Sequence, residues 1–340
     1  MVKAFIGLLV AAILLAAAGT GWMAWFAHQP LVLRESPLEF TVQPRSTLTR
    51  AASDIAQSGV GMSPWQFTLL ARALGKDKTV KAGTYTVETG ITPLGLLEKL
   101  ARGEVVQVDI AFGEGWTFRQ IRDAIDKHPD LRHETRGLPD AEIMRRLGAP
   151  DISAEGRFFP DTYHFAKGTS DLEILRTAYR TMHRHLESVW ASRKDDIPLA
   201  SPQEALILAS IVEKETGHSM DRATVAAVFL NRLRAGMKLQ ADPTVIYGMG
   251  EKFDGNLRRQ DLETDTPYNT YTRAGLPPTP IASPGLASLQ AIVNPAESDA
   301  LYFVARGDGS SHFSRTLDEH NRAVTKYQLR GRGKSPAAEK

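Results

Sequence analysis

Cysteine is absent from the 340-residue sequence. Its absence excludes disulfides, thiolate metal sites and a cysteine nucleophile. It also excludes a lipid-modified N-terminal cysteine, so any membrane attachment has to come from a hydrophobic helix. An oxidising compartment is compatible with this composition but not demonstrated by it. Excess charge is scarce too: 41 Lys and Arg stand against 39 Asp and Glu, a formal net charge of +2. Part of that excess sits in the tail, at Arg330, Arg332 and Lys334. Such a balance gives no case for nucleic acid as a partner. The zinc-protease helix motif, the phosphate-binding glycine loop and the dinucleotide glycine pattern are all missing. His183 and His185 are two residues apart and fall on different faces of a helix, which disfavours a metal site. Neither a metal nor an organic cofactor is expected. There is no convincing internal repeat and no long low-complexity segment.

What is present is globular composition, 42% hydrophobic and 24% charged, in a chain long enough for about two folded units. Residues 4–27 carry no charged side chain. As a helix at ~1.5 Å per residue they span roughly 36 Å, enough for a bilayer core of ~30 Å. Lys3 precedes the run and Trp22 and Trp25 lie near its far end. The positive-inside tendency then keeps the N-terminus in the cytoplasm and exports the rest. The competing reading is a signal peptide cleaved near Ala16–Gly19, but the apolar stretch continues through Phe26. Residues 1–28 are therefore read as a cytoplasmic start and transmembrane anchor, and 28–38 as a short linker.

A first module, residues 38–104, mixes strands at 40–42 and 82–87 with helices at 48–57, after Ser63-Pro64, and after Thr92-Pro93. Residues 105–155 read as a connecting region. A long helix is expected at 171–193, a second domain over 156–328, and a disordered tail at 329–340. The overall class is α+β, with the second domain mainly helical.

The segment with chemical content starts at Ser201-Pro202-Gln203-Glu204, a capping-box pattern. The helix continues to Thr216 with apolar residues on all sides, so its middle should be buried, and Gly217 is the expected stop. Glu213 shares a face with Leu206, Ala209 and Ser210; Glu215 faces elsewhere, with Leu208 and Ile211. A carboxyl held partly out of water at the negative end of a helix dipole is pushed toward its protonated form. A protonated carboxyl near neutral pH is what glycosidic cleavage needs. The residues alone do not choose Glu213 over Glu215. They also leave open that both are merely the solvated end of a helix, with Lys214 paired to either.

The run Leu208-Ala209-Ser210-Ile211-Val212-Glu213-Lys214-Glu215-Thr216 resembles the signature of the MltG (YceG-like) endolytic murein transglycosylases. It comes with further blocks in order: Glu155–Tyr163, Ala227–Leu233, Met237–Gly248, Tyr268–Tyr271, Gly275–Pro278, Ile281–Gly285, Asn294–Ala296, Leu301–Val304 and His312-Phe313. The resemblance implies a single-span inner-membrane protein whose periplasmic part has a LysM-like module and a catalytic domain. It implies that the first glutamate of the Glu-Lys-Glu trio, Glu213, is catalytic. The implied reaction cuts the MurNAc–GlcNAc bond of peptidoglycan glycan strands without water and leaves 1,6-anhydro ends. Termination of nascent strands near the peptidoglycan synthases is the implied role.

Such a reaction needs one carboxyl, acting first as acid to the leaving oxygen and then as base to the sugar's own C6 hydroxyl. Asp161 and Asp242 are candidates for support. Gln240, Tyr247, Tyr268, Asn269, Thr270 and Tyr271 offer amides, hydroxyls and ring faces for a sugar groove, although each taken singly is as readily packing. His312 is a further candidate for the cleft. The rival readings are a hydrolytic muramidase, which needs a second carboxylate, and a non-catalytic peptidoglycan-binding scaffold.

Overall fold

A computed structural model describes residues 2–329 of the chain. The expected tail at 329–340 lies, but for its first residue, outside them. The fold mixes helices with short two-stranded sheets and divides into two compact units. Among the described residues the first is 2–109 with 130–132 and 164–169; the second is 110–129, 133–163 and 170–329.

The first unit begins with α1 (Val2–His28), apolar along its length. Strands β1 (Val32–Leu33) and β3 (Val60–Gly61) pair, as do β2 (Leu38–Val42) and β4 (Gly83–Val87). Helices α2 (Leu48–Gln57), α3 (Pro64–Ala73) and α4 (Pro93–Arg102) complete it. The β2–β4 register sets Leu38 opposite Val87 and Phe40 opposite Tyr85, and the period-2 pattern sends these side chains into one core. There they meet Ile55, Phe67, Leu96, Leu97 and Leu100. Thr92 caps α4 by accepting the Gly95 N–H, and Gly103 closes it in the left-handed conformation at φ 73°.

Residues 28–38 are not a free linker. Leu31 is buried, its N–H is donated to the Ile91 carbonyl, and the Arg34 N–H is donated to Gly59. The sequence reading missed this because β1 is only two residues long and pairs with a strand that is equally short.

The chain continues through β5 (Gln107–Ala111), α5 (Phe118–Lys127), α6 (Asp140–Leu147) and β6 (Thr162–Ala166), with β5 and β6 paired. The second unit is then built by α7 (Asp171–Ala191), α8 (Pro202–Glu215), α9 (Arg222–Arg234), α10 (Asp242–Met249), α11 (Arg259–Glu263) and α12 (Leu286–Val293). A hairpin of β7 (Tyr302–Ala305) and β8 (Ser311–Ser314) and helix α13 (Leu317–Val324) follow.

α8 is the central element. Every residue from Ala205 to Val212 is buried, among side chains of α7, α9 and α12. Its start follows the sequence with one change. Ser201 Oγ accepts the Glu204 N–H at 3.3 Å, while Glu204 reaches back to the Ala200 N–H at 2.7 Å rather than to Ser201 itself. Its end differs: Glu215 is the last helical residue and Thr216 turns extended at φ −137°, so Gly217 is not the left-handed stop expected of it. α12 begins at Leu286 with Gly285 as its N-cap. Ahead of it, the Ser283 backbone is committed to Gly115 and Trp116.

One glycine in this unit has little freedom. Gly156 has φ 74°, and a Cβ there would come within 2.4 Å of Pro280 Cβ and 2.9 Å of the Ala282 carbonyl. Gly156→Ala is expected to destabilise the chain by roughly 2–4 kcal/mol through backbone strain and overpacking, measured as a lowered denaturation midpoint in urea.

Candidate active site

α8 carries its apolar body through the core and releases three charged residues in its last turn: Glu213, Lys214 and Glu215. They do three different things. Glu213 is half-buried, and its Oε2 accepts the Gly285 backbone N–H at 2.9 Å. Among the described residues its Oε1 accepts no hydrogen bond. Lys214 does not pair with either glutamate; it is exposed and donates to the Gly115 carbonyl at 3.3 Å. Glu215 points elsewhere, and its Oε2 is buried without a hydrogen-bond partner.

The loop from Pro280 to Gly285 holds Glu213 in place. Ile281 donates its N–H to Ser210 Oγ at 3.0 Å, one turn before Glu213. Ser283 exchanges two backbone hydrogen bonds with the 115–116 strip, 2.8 and 2.7 Å long. Gly285 then caps the carboxylate and starts α12. Glu213 thus stands between the negative end of α8 and the positive end of α12, whose partial charges act on it in opposite senses. Glu114 also lies against this glycine: a Cβ at Gly285 would fall 1.9 Å from Glu114 Oε1. Two carboxyl groups, those of Glu213 and Glu114, therefore meet one glycine. Glu114 escaped the sequence reading, although its place between the turn glycines Gly113 and Gly115 was visible.

A cavity of about 780 Å³ lies in the same unit, with walls that include Thr117, Phe118, Glu155, Ile246, Tyr247 and Tyr268. Glu213 is not one of its walls. The 115–118 segment connects the two places, since Gly115 lies against Lys214 and Glu213 while Thr117 and Phe118 line the cavity. Tyr247 and Tyr268 meet edge to face, centroids 4.8 Å apart. The Tyr247 hydroxyl donates to Glu155 Oε2 at 3.1 Å, and the Phe118 and Gly156 N–H groups donate to Oε1. Burial nevertheless pushes the Glu155 carboxyl up to about 7, against the lowering effect of these donors. In the sequence Glu155 stands in the Glu155–Tyr163 block with nothing to mark its carboxyl for a role beyond its place as a lone acid ahead of Phe158-Phe159-Pro160.

The other predicted residues separate into groups. Tyr271 donates to Asp242 Oδ1 at 2.5 Å. Burial, followed by the Asp242 charge, pushes Glu215 up to about 7, opposed by Arg232. These side chains form a cluster around Glu215. Asn269 and Thr270 are fully buried. Asn269 donates to the carbonyls of Asp261, Leu262 and Thr264 and accepts the Tyr271 N–H. Thr270 accepts the Ala241 N–H and bonds Thr244. Both are occupied in holding the 261–272 loop. Gln240 takes a left-handed φ of 51° and donates its N–H to Thr270. Asp161 accepts the Thr162 N–H. His312, on β8, packs against Tyr327 5.5 Å away, in a shallow hollow with Glu319 and Arg322. Among the described residues no group of three or more His, Asp or Glu is arranged to hold a metal ion.

The second unit thus presents a half-buried acid at the end of α8, pinned by the Gly285 N–H, with an aromatic-walled cavity in the same unit. The YceG-like family model matches residues 40–326. The chain is 31% identical over 311 residues to the endolytic murein transglycosylase of Bacillus subtilis (strain 168), covering 86% of this chain and 85% of that one. It is 28% identical to the endolytic murein transglycosylase of Streptococcus pneumoniae serotype 2, spanning 73% of this chain and 51% of that protein's length. The 2.6 Å crystal structure of a yceG-like protein from Listeria monocytogenes superposes with a TM-score of 0.53 at 29% identity, over 85% of this chain and 99% of that one. The chain belongs to the YceG-like family.

The raised Glu155 carboxyl has a consequence for stability. The folded chain binds this proton more tightly than the unfolded one, whose carboxyl titrates near 4.5. The stabilisation is complete below that value and is lost as the pH rises through about 7. Glu155→Gln keeps an acceptor for the two N–H groups and cannot ionise. It is expected to gain on the order of 1–3 kcal/mol over the parent between pH 5 and pH 8, read as a flatter midpoint-against-pH curve in thermal melts.

Proposed function

We propose that this protein is an endolytic lytic transglycosylase of peptidoglycan and that Glu213 is its acid and base. The observation that carries this reading is the geometry of Glu213. One oxygen is pinned by the Gly285 N–H, while the other accepts no hydrogen bond among the described residues. Pinned in this way, the carboxyl protonates the departing glycosidic oxygen between MurNAc and GlcNAc. The resulting carboxylate then takes the proton of the C6 hydroxyl as that oxygen closes on the anomeric carbon, giving a 1,6-anhydro end. No water is consumed. The Tyr247 and Tyr268 rings in the neighbouring cavity suit sugar faces, with Thr117, Ser153 and Arg119 on the same walls for hydrogen bonds. Tyr271 belongs to the Glu215 cluster, Gln240 is tied by its N–H to Thr270, and Asn269 and Thr270 act by holding the 261–272 loop.

In this reading α1 anchors the chain in the inner membrane with both units in the periplasm. Its window of apolar residues, Phe5–His28, is long enough to cross a bilayer. The first unit is LysM-like in role, binding glycan and keeping the strand near the site, and the synthases that make nascent strands are the partners. A second reading, hydrolysis, is favoured by Glu114, which supplies a carboxyl beside the same glycine that Glu213 touches.

Digestion of purified uncrosslinked glycan strands by the detergent-solubilised full chain, with products read by mass spectrometry, tests both. Anhydro-ended fragments are expected from the parent, with a loss of at least ~100-fold in rate for Glu213→Gln and anhydro ends retained in Glu114→Gln. Reducing ends from the parent, lost in Glu114→Gln, would establish the hydrolase. Binding without cleavage would identify a scaffold.

A further inference from the structure

The outer end of α1 does not stand clear of the first unit. Phe26 and Ala27 are buried in that unit's core, and the backbone bonds at Leu31 and Arg34 tie the following residues to it. One turn before Phe26, Trp22 stacks on Phe26 at 6.2 Å and on Trp65 at 5.7 Å, with both ring pairs nearly parallel. Trp65 is the second residue of α3. That helix buries Phe67, Thr68, Leu70 and Ala71. Its opposite face carries Trp65, Leu69 and Arg72, spaced i, i+4 and i+7. Trp65 is 61% exposed and Leu69 43% exposed. An exposed indole and an exposed leucyl side chain side by side are costly in water at ~25 cal/mol per Å² of apolar surface.

The Trp22 stack fixes what covers them. If α1 spans the bilayer, Trp22 lies near its outer boundary, and a ring stacked on it at 5.7 Å lies at nearly the same depth. We propose that α3 is an interfacial helix. Trp65 and Leu69 enter the boundary between acyl chains and headgroups of the outer leaflet, and the Arg72 guanidinium reaches back to lipid phosphate. Tryptophan at the headgroup level, leucine below it and arginine snorkelling above it form the pattern of a helix lying in the membrane surface. The occupant of this face is thus the bilayer that holds α1, and the inference rests on the reading of α1 as a retained anchor. The first unit would then be seated on the membrane by two contacts, a span and a surface helix, and would not swing on a tether.

The absence of cysteine makes the test direct. Single cysteines at Val10, Arg50, Leu69 and Arg72 in the full chain are labelled with a nitroxide. The protein is reconstituted in nanodiscs of mixed zwitterionic and anionic phospholipid. Collision rates with oxygen and with a water-soluble nickel chelate then report depth. For Leu69→Cys the expected result is oxygen collisions several-fold above those of Arg50→Cys and nickel collisions several-fold below. Its depth should be shallower than that of Val10→Cys, and Arg72→Cys should lie at the headgroups. A lipid-buried label at 10 with labels at 69 and 72 as open to nickel as that at 50 would overturn the proposal while leaving the anchor intact. A label at 69 shielded from both reagents would overturn it in favour of a covering protein surface. A label at 10 in water would remove the anchor and the proposal together.

Discussion

The hydrogen bond from the Gly285 N–H to Glu213 is the constraint on which the second unit's arrangement turns. To bring that N–H to the carboxylate, the 280–285 loop has to lie along the last turn and a half of α8. Ser210 makes room for this by being small and by offering its hydroxyl to Ile281. Gly156 makes room because a side chain there would collide with Pro280. The 115–116 strip holds the loop from the other side through Ser283. Residues far apart in the chain are therefore small, polar or glycine for one reason: a backbone donor must reach one oxygen of a half-buried acid. The rigidity of α8, buried from Ala205 to Val212, gives that oxygen a fixed place to be met.

The unit distributes its acids by environment. Glu155 and Glu215 are both held at about 7, each by burial first, yet they differ in what surrounds them. Glu155 is saturated with donors from Phe118, Gly156 and Tyr247, so it organises a cavity wall. Glu215 has an unpartnered buried oxygen near Asp242, Tyr271 and Arg232, and it sits on the opposite side of α8 from the loop that caps Glu213. Glu213 alone of the three combines a fixed oxygen with solvent access. A proton donor that must also collect a proton from substrate needs both properties.

Much of this was legible in the chain. The helix at 48–57 announces itself by apolar spacing, and those at 93–102 and 202–215 by caps and Pro at the first turn as well, because those signals act within a few residues of one another. α8 was legible as buried because it is apolar all round. The choice of Glu213 over Glu215 came from family resemblance, since both stand in one helical turn with similar neighbours. The role of residues 28–38, the backbone tie of Ser283 to residues 115–116 and the end of α8 at Glu215 were not legible. Each is set by partners such as Gly59, Ile91 and Gly115, which lie far away in sequence or leave no periodic trace. The 269–271 residues show the same limit: their types suit sugar binding, but Asn269 and Thr270 are spent on loop carbonyls and amides.

The sequence by itself determined the capped and periodic helices, the apolar span at the N-terminus, the buried helix and the acidic residues at its end, because propensity, capping and hydrophobic period are local properties. Only the tertiary structure decided which carboxyl is pinned and open, that Glu114 shares its glycine, that Glu155 walls a cavity, and that Trp22 and Trp65 stack. Those are contacts between distant segments, and their energies depend on burial and direction, which no local pattern encodes.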